Sequence, residues 1–416
     1  MRLLREHKLI VLIGVLIVIC WTFAFATNFW LLFRLAYVLA LAVPLCYVWA
    51  RFNVANLEVE VTRLVDRAQV GQFAEELITI RNPSWFPRIW LEVDDPSDLP
   101  GAQPRRVISL RARRRTSWRS QTLLTRRGVY NVGPVRVSSS DPFGLFKMSR
   151  TYGHRSQIIV YPPFIDLPHF TVPPASLPGE GRFRRRTHYV TPNASGVREY
   201  VWGDSFNRIH WASTARTGKL MVKTFELDPA SDIWIVLDLQ RSAQAGQGDD
   251  STEEYGVKIA ASVARYFLNA NRNVGYMAYG HRLDIVETER GGQQMTRILE
   301  SLAMAQAVGD APVANLLSVE GKRFGRHTTM VLITPSQDEA WVTSLLLLTQ
   351  RGVKVAVVLI EASTFGGPAN SLMVVSQLAA ADIWSYLVKK GDDLTNTLAP
   401  SGENWEPAAG EGLKGK

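Results

Sequence analysis

Ile233-Trp234-Ile235-Val236-Leu237-Asp238 is a continuous apolar run that ends on a carboxylate. It lacks the alternation of a half-wet sheet, so it predicts a central parallel strand covered on both faces. The residues after it support that reading. Ser251-Thr252-Glu253-Glu254 has the form of a capping box, and Ala260, Val263, Ala264, Phe267 and Leu268 then mark one helical face. Further strands are expected at 274–279, 283–286, 329–333, 353–360 and 383–388. Between them Met295, Ile298, Leu299 and Leu302 mark a second helix, and Ser336-Gln337-Asp338-Glu339 opens a third that stops at Gly352. Strands alternating with helices make residues 231–390 a doubly wound α/β domain. Residues 391–416 are polar and glycine-rich and read as a disordered tail.

Upstream the period changes. Short alternating runs at 57–61, 76–80, 89–93, 132–137 and 157–160, broken by turn residues, predict an all-β sandwich over 52–163. It holds the densest positive charge, Arg105, Arg106, Arg111, Arg113, Arg114, Arg115, Arg119, Arg126 and Arg127. Arg111, Arg113 and Arg115 are expected on one strand face. Such a face serves as a solvated outer surface or a defended sheet edge, or it contacts anionic headgroups. Asp141-Pro142-Phe143-Gly144-Leu145-Phe146 combines turn residues with apolar side chains that can pin a loop against a core. Residues 164–230 form a linker, rich in proline and glycine and carrying Arg182, Arg184, Arg185 and Arg186, followed by a segment dense in charge and aromatics.

The first fifty residues are different again. Residues 9–26 and 29–50 are uncharged but for Arg34, and each is long enough to cross a hydrocarbon core that needs about 20 apolar residues. Thr27 and Asn28 alone separate them, which makes 1–51 a two-helix transmembrane hairpin. Arg2, Arg5 and Lys8 precede it, Arg51 follows it and its turn is uncharged, so both ends and the soluble domains are expected on the cytoplasmic side of the plasma membrane. Ala24-Phe25-Ala26 also imitates a signal cleavage site, and cleavage there would leave the domains outside on the second span. Arg34 lies close enough to the turn to snorkel to the interface. Cys20 and Cys46 both fall in the apolar runs, so no disulfide framework is available to the aqueous part. The net charge of +9 is explained by proximity to a membrane; no recognition motif accompanies the arginines, and nucleic acid is not an expected partner.

Signatures of catalysis are missing: there is no Gly-x-Ser-x-Gly elbow, no phosphate-binding loop, no Gly-x-Gly-x-x-Gly after a strand, no His-Glu-x-x-His and no paired cysteines for zinc. One segment stands out, running from Gly196 through Arg198-Glu199-Tyr200-Val201-Trp202-Gly203-Asp204 and Arg208-Ile209-His210-Trp211 to Arg216 and Glu226. Charges alternating with tryptophans and glycines suit a buried ion-pair network or a recognition surface. Arg198, Asp204 and Arg216 are expected to fix the segment to the α/β sheet, and Arg208 to contact a partner. A catalytic set around His210, Asp204 and Ser213 is the alternative.

On this segment, with Arg127-Gly128-Val129-Tyr130, Asp141 to Phe146 and Val160-Tyr161-Pro162 upstream, the chain is identified as a member of the bacterial domain of unknown function family 58. The resemblance implies a von Willebrand factor A-like α/β domain, a MoxR-type AAA+ ATPase as partner, and other membrane proteins nearby. It also permits a test of metal binding. A-domains hold Mg2+ through Asp-x-Ser-x-Ser, a later threonine and a later aspartate. Here the first element reads Asp238-Leu239-Gln240-Arg241-Ser242, Gly291-Gly292-Gln293 offers glutamine for threonine, and Pro335 replaces the aspartate. Asp238 and Ser242 alone are a poor cage for a hard cation, so the metal site is degenerate and no cofactor is expected. The expected function is a membrane-anchored binding or adaptor protein that works with the ATPase in assembly or maturation of envelope components. The alternatives are an envelope-associated enzyme and a structural scaffold.

Overall fold

The computed structural model describes residues 8–102, 105–172, 194–201, 206, 209–225, 232–368 and 371–399. The chain divides into two compact units, Met1–Pro163 and Phe164–Lys416.

The first unit opens with α1 (Lys8–Thr27) and α2 (Trp30–Val54), joined through Asn28 in the left-handed conformation. Both helices are long and apolar enough to cross a membrane. The second does not stop at 50, as expected, but runs on to Val54. Its last turn belongs to the protein: Ala50, Asn53 and Val54 are buried. The extra turn persists because the carbonyls that end a helix find donors here.

Ten strands follow: β1 (Glu58–Arg63), β2 (Arg67–Gln69), β3 (Phe73–Arg81), β4 (Arg88–Asp94), β5 (Arg105–Leu110), β6 (Arg115–Leu123), β7 (Gly128–Val132), β8 (Val135–Ser140), β9 (Lys147–Tyr152) and β10 (Ser156–Tyr161). They form sheets of order β1-β3-β6, β5-β4-β8-β9 and β2-β10-β7. The first two share a core in which Ile78 and Ile80 meet Leu91, Val93, Val135 and Val137. The expected single strand at 132–137 is two strands in different sheets. They part at Gly133-Pro134, where Gly133 has φ +70° and proline has no N–H to continue a ladder. Arg111 and Arg113 do not share a strand face with Arg115. They sit in the 111–114 turn between β5 and β6, with Arg113 itself left-handed at φ 55°.

This unit also holds a charge cluster around the buried Glu76. Arg63 Nε donates to Glu76 Oε1 at 2.9 Å, and Asp95 Oδ1 stands 4.0 Å from Arg63 Nη2. Burial, reinforced by the neighbouring Glu76, pushes the Asp95 carboxyl up to about 7.

The second unit begins with a small antiparallel pair, β11 (Ala194–Glu199) and β12 (Met221–Phe225), enclosing α3 (Trp211–Thr217). The main sheet then builds from β13 (Asp232–Leu237), a short hairpin of β14 (Gly246–Gln247) and β15 (Asp250–Ser251), α4 (Thr252–Asn269), β16 (Val274–Tyr279), β17 (Leu283–Glu289), α5 (Gly292–Met304) and α6 (Val313–Glu320). It is completed by β18 (Thr328–Thr334), α7 (Ala340–Gln350), β19 (Lys354–Ile360), α8 (Leu372–Ala380), β20 (Trp384–Val388) and α9 (Leu394–Thr397). The sheet order is β17-β16-β13-β18-β19-β20, parallel except for β17. Strand β13, from Ile233 onward, is buried throughout, as a central parallel strand must be. Ser251 caps α4 as the motif implied, its Oγ accepting from the Glu254 N–H at 3.2 Å.

Two details differ from expectation. The third helix begins at Ala340 rather than Ser336, because Ser336 and Asp338 use their side chains to turn the loop ahead of it. Residues 391–399, expected to belong to a disordered tail, are folded. Asp393 caps α9, accepting from the Thr395 N–H at 3.1 Å, and Leu394 and Leu398 are buried.

Candidate functional site at the carboxyl edge of the main sheet

From β13 the chain crosses to β16 on one side and later returns to β18 on the other. The connections therefore diverge between β13 and β18, and the crevice outside their carboxyl ends is where doubly wound sheets place ligands. Asp238 follows β13 into this crevice and is buried. Its Oδ2 accepts from Thr334 Oγ1, the last residue of β18, at 2.7 Å, and its Oδ1 accepts from the Gln240 N–H at 2.9 Å. Burial pushes the Asp238 carboxyl up to about 6, against the opposing pull of those two donors. Above it lies an open pocket of ≈ 210 Å3, lined by Gln240, Ser242, Ser336, Gln337 and Asp338 among others.

The polar groups around this pocket mostly serve one another. Gln240 Nε2 donates to Ser242 Oγ at 2.7 Å, and Asp338 Oδ1 accepts from the Ala340 N–H at 3.0 Å at the start of α7. Glu361, after β19, accepts from Ser363 Oγ at 2.8 Å and from Ser371 Oγ. The set does not fit a hard dication, which needs several oxygen ligands with net negative charge. Asp238 has both oxygens engaged by protein donors, and Ser242 faces the Gln240 amide. No group of three His, Cys, Asp or Glu side chains suited to a metal occurs among the described residues.

One expected component is misplaced. Gly291-Gly292-Gln293 stands in the sequence where the threonine loop of an A-domain is expected, but β17 runs antiparallel, with Glu289 opposite Val274 at the start of β16. Gln293 therefore lies at the amino edge of the sheet, and Asp238 lies beyond the carboxyl edge. The loop that does reach the crevice contains Gly309, whose N–H donates to Leu239 O at 3.1 Å and whose O accepts from the Arg241 N–H at 2.8 Å. A Cβ on Gly309 would lie 2.6 Å from Tyr279 O, so only glycine fits there. The dense apolar runs gave this loop no signal, because its role depends on backbone alone.

In the charge-rich segment, Gly203, Asp204 and Arg208 lie outside the described residues. Arg198 and Arg216, expected in a buried network with Asp204, are both exposed. Arg198 Nη1 donates to Glu199 O at 3.1 Å, and Glu199 pairs with Lys219 at 2.7 Å in the open. Tyr200 N–H donates to Leu220 O at 2.8 Å, and its ring lies 5.7 Å from that of Phe206. His210 and Ser213 do meet, with Nδ1 to Oγ at 2.7 Å, but the Ser213 N–H also donates to Nδ1 at 3.2 Å. This is the geometry of a helix cap for α3, with the imidazole in the place of the usual Ser or Asp. Trp211 and Phe206 stand 68% and 69% exposed.

The fold and site thus define a chain with an apolar helical hairpin, a strand-rich first unit and an α/β sheet whose switch-point crevice is polar and internally bonded. The family model described as "Protein of unknown function DUF58" matches residues 196–379, which take in the charge-rich segment and most of the α/β sheet. The chain is 24% identical over 290 residues to uncharacterized protein YeaD of Bacillus subtilis, covering 67% of this chain and 71% of that protein. It is 32% identical over 149 residues to uncharacterized protein Rv1480 of Mycobacterium tuberculosis, covering 34% of this chain and 41% of that one. The CARDB domain of the PF1109 protein from Pyrococcus furiosus is 14% identical and covers 25% of this chain and 92% of that domain, but at a TM-score of 0.19 this likeness carries no argument.

Proposed function

We propose that this protein is a membrane-anchored adaptor whose α/β unit, built in the manner of a von Willebrand factor A domain, binds a MoxR-type AAA+ ATPase in assembly or maturation of envelope components. The observation that carries this reading is the commitment of Asp238. Its carboxylate sits at the switch point, where chemistry would be expected, and is held by Thr334 and Gln240. A crevice bonded in this way favours recognition over group transfer or metal chemistry. Exposed Trp211 and Phe206 supply the aromatic anchors that protein interfaces favour. The positive-inside rule applied to Arg2, Arg5, Lys8 and Arg51 supports soluble units on the cytoplasmic face, where such an ATPase meets its ATP.

The test is crosslinking and affinity capture from native membranes with the full chain. The expected result is recovery of a MoxR-type ATPase, lost on Trp211→Ala although the variant remains folded. Undiminished capture by that variant, or protease access to the soluble units from outside intact cells, overturns the reading.

A further inference from the structure

The end of α2 does not lead into a linker. Arg88 of β4, 1% exposed, donates to Phe52 O and, at 3.2 Å, to Ala55 O, and its guanidinium lies 4.0 Å from the Phe52 ring centroid. Asn53 Nδ2 donates to Ile89 O and to Ser139 Oγ, both at 3.2 Å. The spanning helix is thereby bonded to β4 and β8, and the loops at this end of the sheets are held at defined heights along it.

Two such loops carry exposed aromatics. In the 82–87 loop, Phe86 packs its ring 5.8 Å from that of Phe52, while Trp85 is 73% exposed. In the 141–146 loop, Phe146 packs 5.5 Å from Tyr47, while Phe143 is 71% exposed. Tyr47 precedes Phe52 by about a turn and a half of helix, ~7 Å along the axis, which is close to the depth of one headgroup layer.

The exposure is built in. Asn82 is fully buried: its N–H donates to Arg114 O at 2.9 Å, its Nδ2 to Phe86 O at 2.8 Å and to Arg111 O at 3.2 Å. The Arg113 N–H donates to Ser84 O at 3.0 Å, and the Arg113 guanidinium stacks 3.4 Å from the Trp85 ring centroid. One buried asparagine thus locks the aromatic loop to the 111–114 turn, whose Arg111, Arg113 and Arg114 are exposed. Neither segment contains an acidic residue.

We propose that the 82–87 loop, the 111–114 turn and the 141–146 loop form an interfacial platform seated in the headgroup layer around α2. Trp85, Phe86 and Phe143 sit at the acyl boundary, and Arg111, Arg113 and Arg114 hold anionic phosphate headgroups. Tryptophan rings are favoured at that depth, and clustered arginines beside a spanning helix are drawn to anionic lipid. The occupant is the bilayer, because the platform is continuous with the helix that enters it. This inference rests on the reading that α1 and α2 span the membrane, and the test separates the two.

Full-length protein is reconstituted into nanodiscs of phosphatidylcholine, alone or mixed with phosphatidylglycerol, with a nitroxide at Trp85→Cys, Val15→Cys or Gln121→Cys in separate samples. Collisions with oxygen and with an aqueous nickel chelate report depth. The label at 85 is expected to be oxygen-accessible and nickel-protected, the one at 121 aqueous, and the one at 15 deeply apolar. Adding phosphatidylglycerol moves the label at 85 deeper. Replacing any one of Arg111, Arg113 or Arg114 by Gln weakens the association with anionic lipid that drives this shift by about fivefold. A label at 85 as aqueous as that at 121, with 15 still apolar, overturns the platform and leaves the anchor standing. An aqueous label at 15 overturns both. Protection at 85 from oxygen and nickel alike means burial against protein and overturns the lipid assignment.

Discussion

The two units bury charge in opposite ways. In the first, the buried Arg88 reaches out of its strand to the end of a helix, and Arg63, Glu76 and Asp95 tie separate strands together. In the second, the buried Asp238 is satisfied by a threonine and a backbone N–H within a few residues of the strand ends. Buried charge acts as a joint in one unit and as a local lock in the other. Removing a joint should affect distant parts of the unit, and removing a lock should loosen one crevice.

The sharpest break of this contrast is Arg88→Ala. It strips two carbonyls at the end of α2 of a charged donor, and a loss of about 3–5 kcal/mol is expected. Hydrogen exchange in the full chain should show the loss across α2, β4 and β8 together. Protection lost at β4 alone would mean that Arg88 is no joint.

Next in size is the response to pH. Asp238 titrates near 6 in the fold against an ordinary value of 3.8, so the fold binds its proton more tightly than the unfolded chain. Its contribution is fully present below pH 3.8 and is lost as pH rises through about 6, roughly 3 kcal/mol at 1.4 kcal/mol per unit. Asp95, pushed to about 7, works in the same direction over a window reaching higher. Exchange from β13 should speed up between pH 4 and 6 beyond its intrinsic base dependence, and the first unit should continue to loosen toward pH 7. Asp238→Asn should abolish the first response and spare the second; a variant that abolished both would erase the distinction between the units.

Smaller effects come from the charge-rich segment. His210→Ala removes the cap of α3 and should cost about 1 kcal/mol locally, with Asn at the same position restoring most of it. Arg216→Ala should change stability by less than about 1 kcal/mol, as expected of an exposed charge, and a severe loss measured by denaturant midpoint would restore the buried network read from sequence.

What was legible in the sequence was whatever periodicity encodes. The run ending at Asp238, the capping box at Ser251 and the two apolar spans each declared their element, because burial on two faces, a cap or a bilayer leaves a pattern along the chain. Strands β5, β6 and β9 left little pattern, since much of each is exposed. The break at Gly133-Pro134 lies inside an apolar stretch that resumes beyond it, so the pattern alone shows one strand. The Gln293 error had a different cause: whether β17 runs parallel or antiparallel decides which edge of the sheet its following loop reaches, and direction is absent from a hydrophobic pattern. The exposure of Arg198 and Arg216 depended on tertiary placement in the same way.

The bonding of Arg88 and Asn53 also has a mechanical consequence. Helix α2 has 25 residues, about 37 Å, with Pro44 inside it, and the turns after Pro44 meet β4 and β8 without a linker. Torque applied to the turns after Pro44 is delivered to the sheets, and Pro44, which has no N–H for the helical ladder, is the point at which the helix bends most readily. A change of about 10° in its tilt, well inside the range spanning helices adopt, would swing the attached sheet by roughly 6 Å over that lever arm. Force applied to the sheets would by the same coupling reach α2 as a lean of the hairpin.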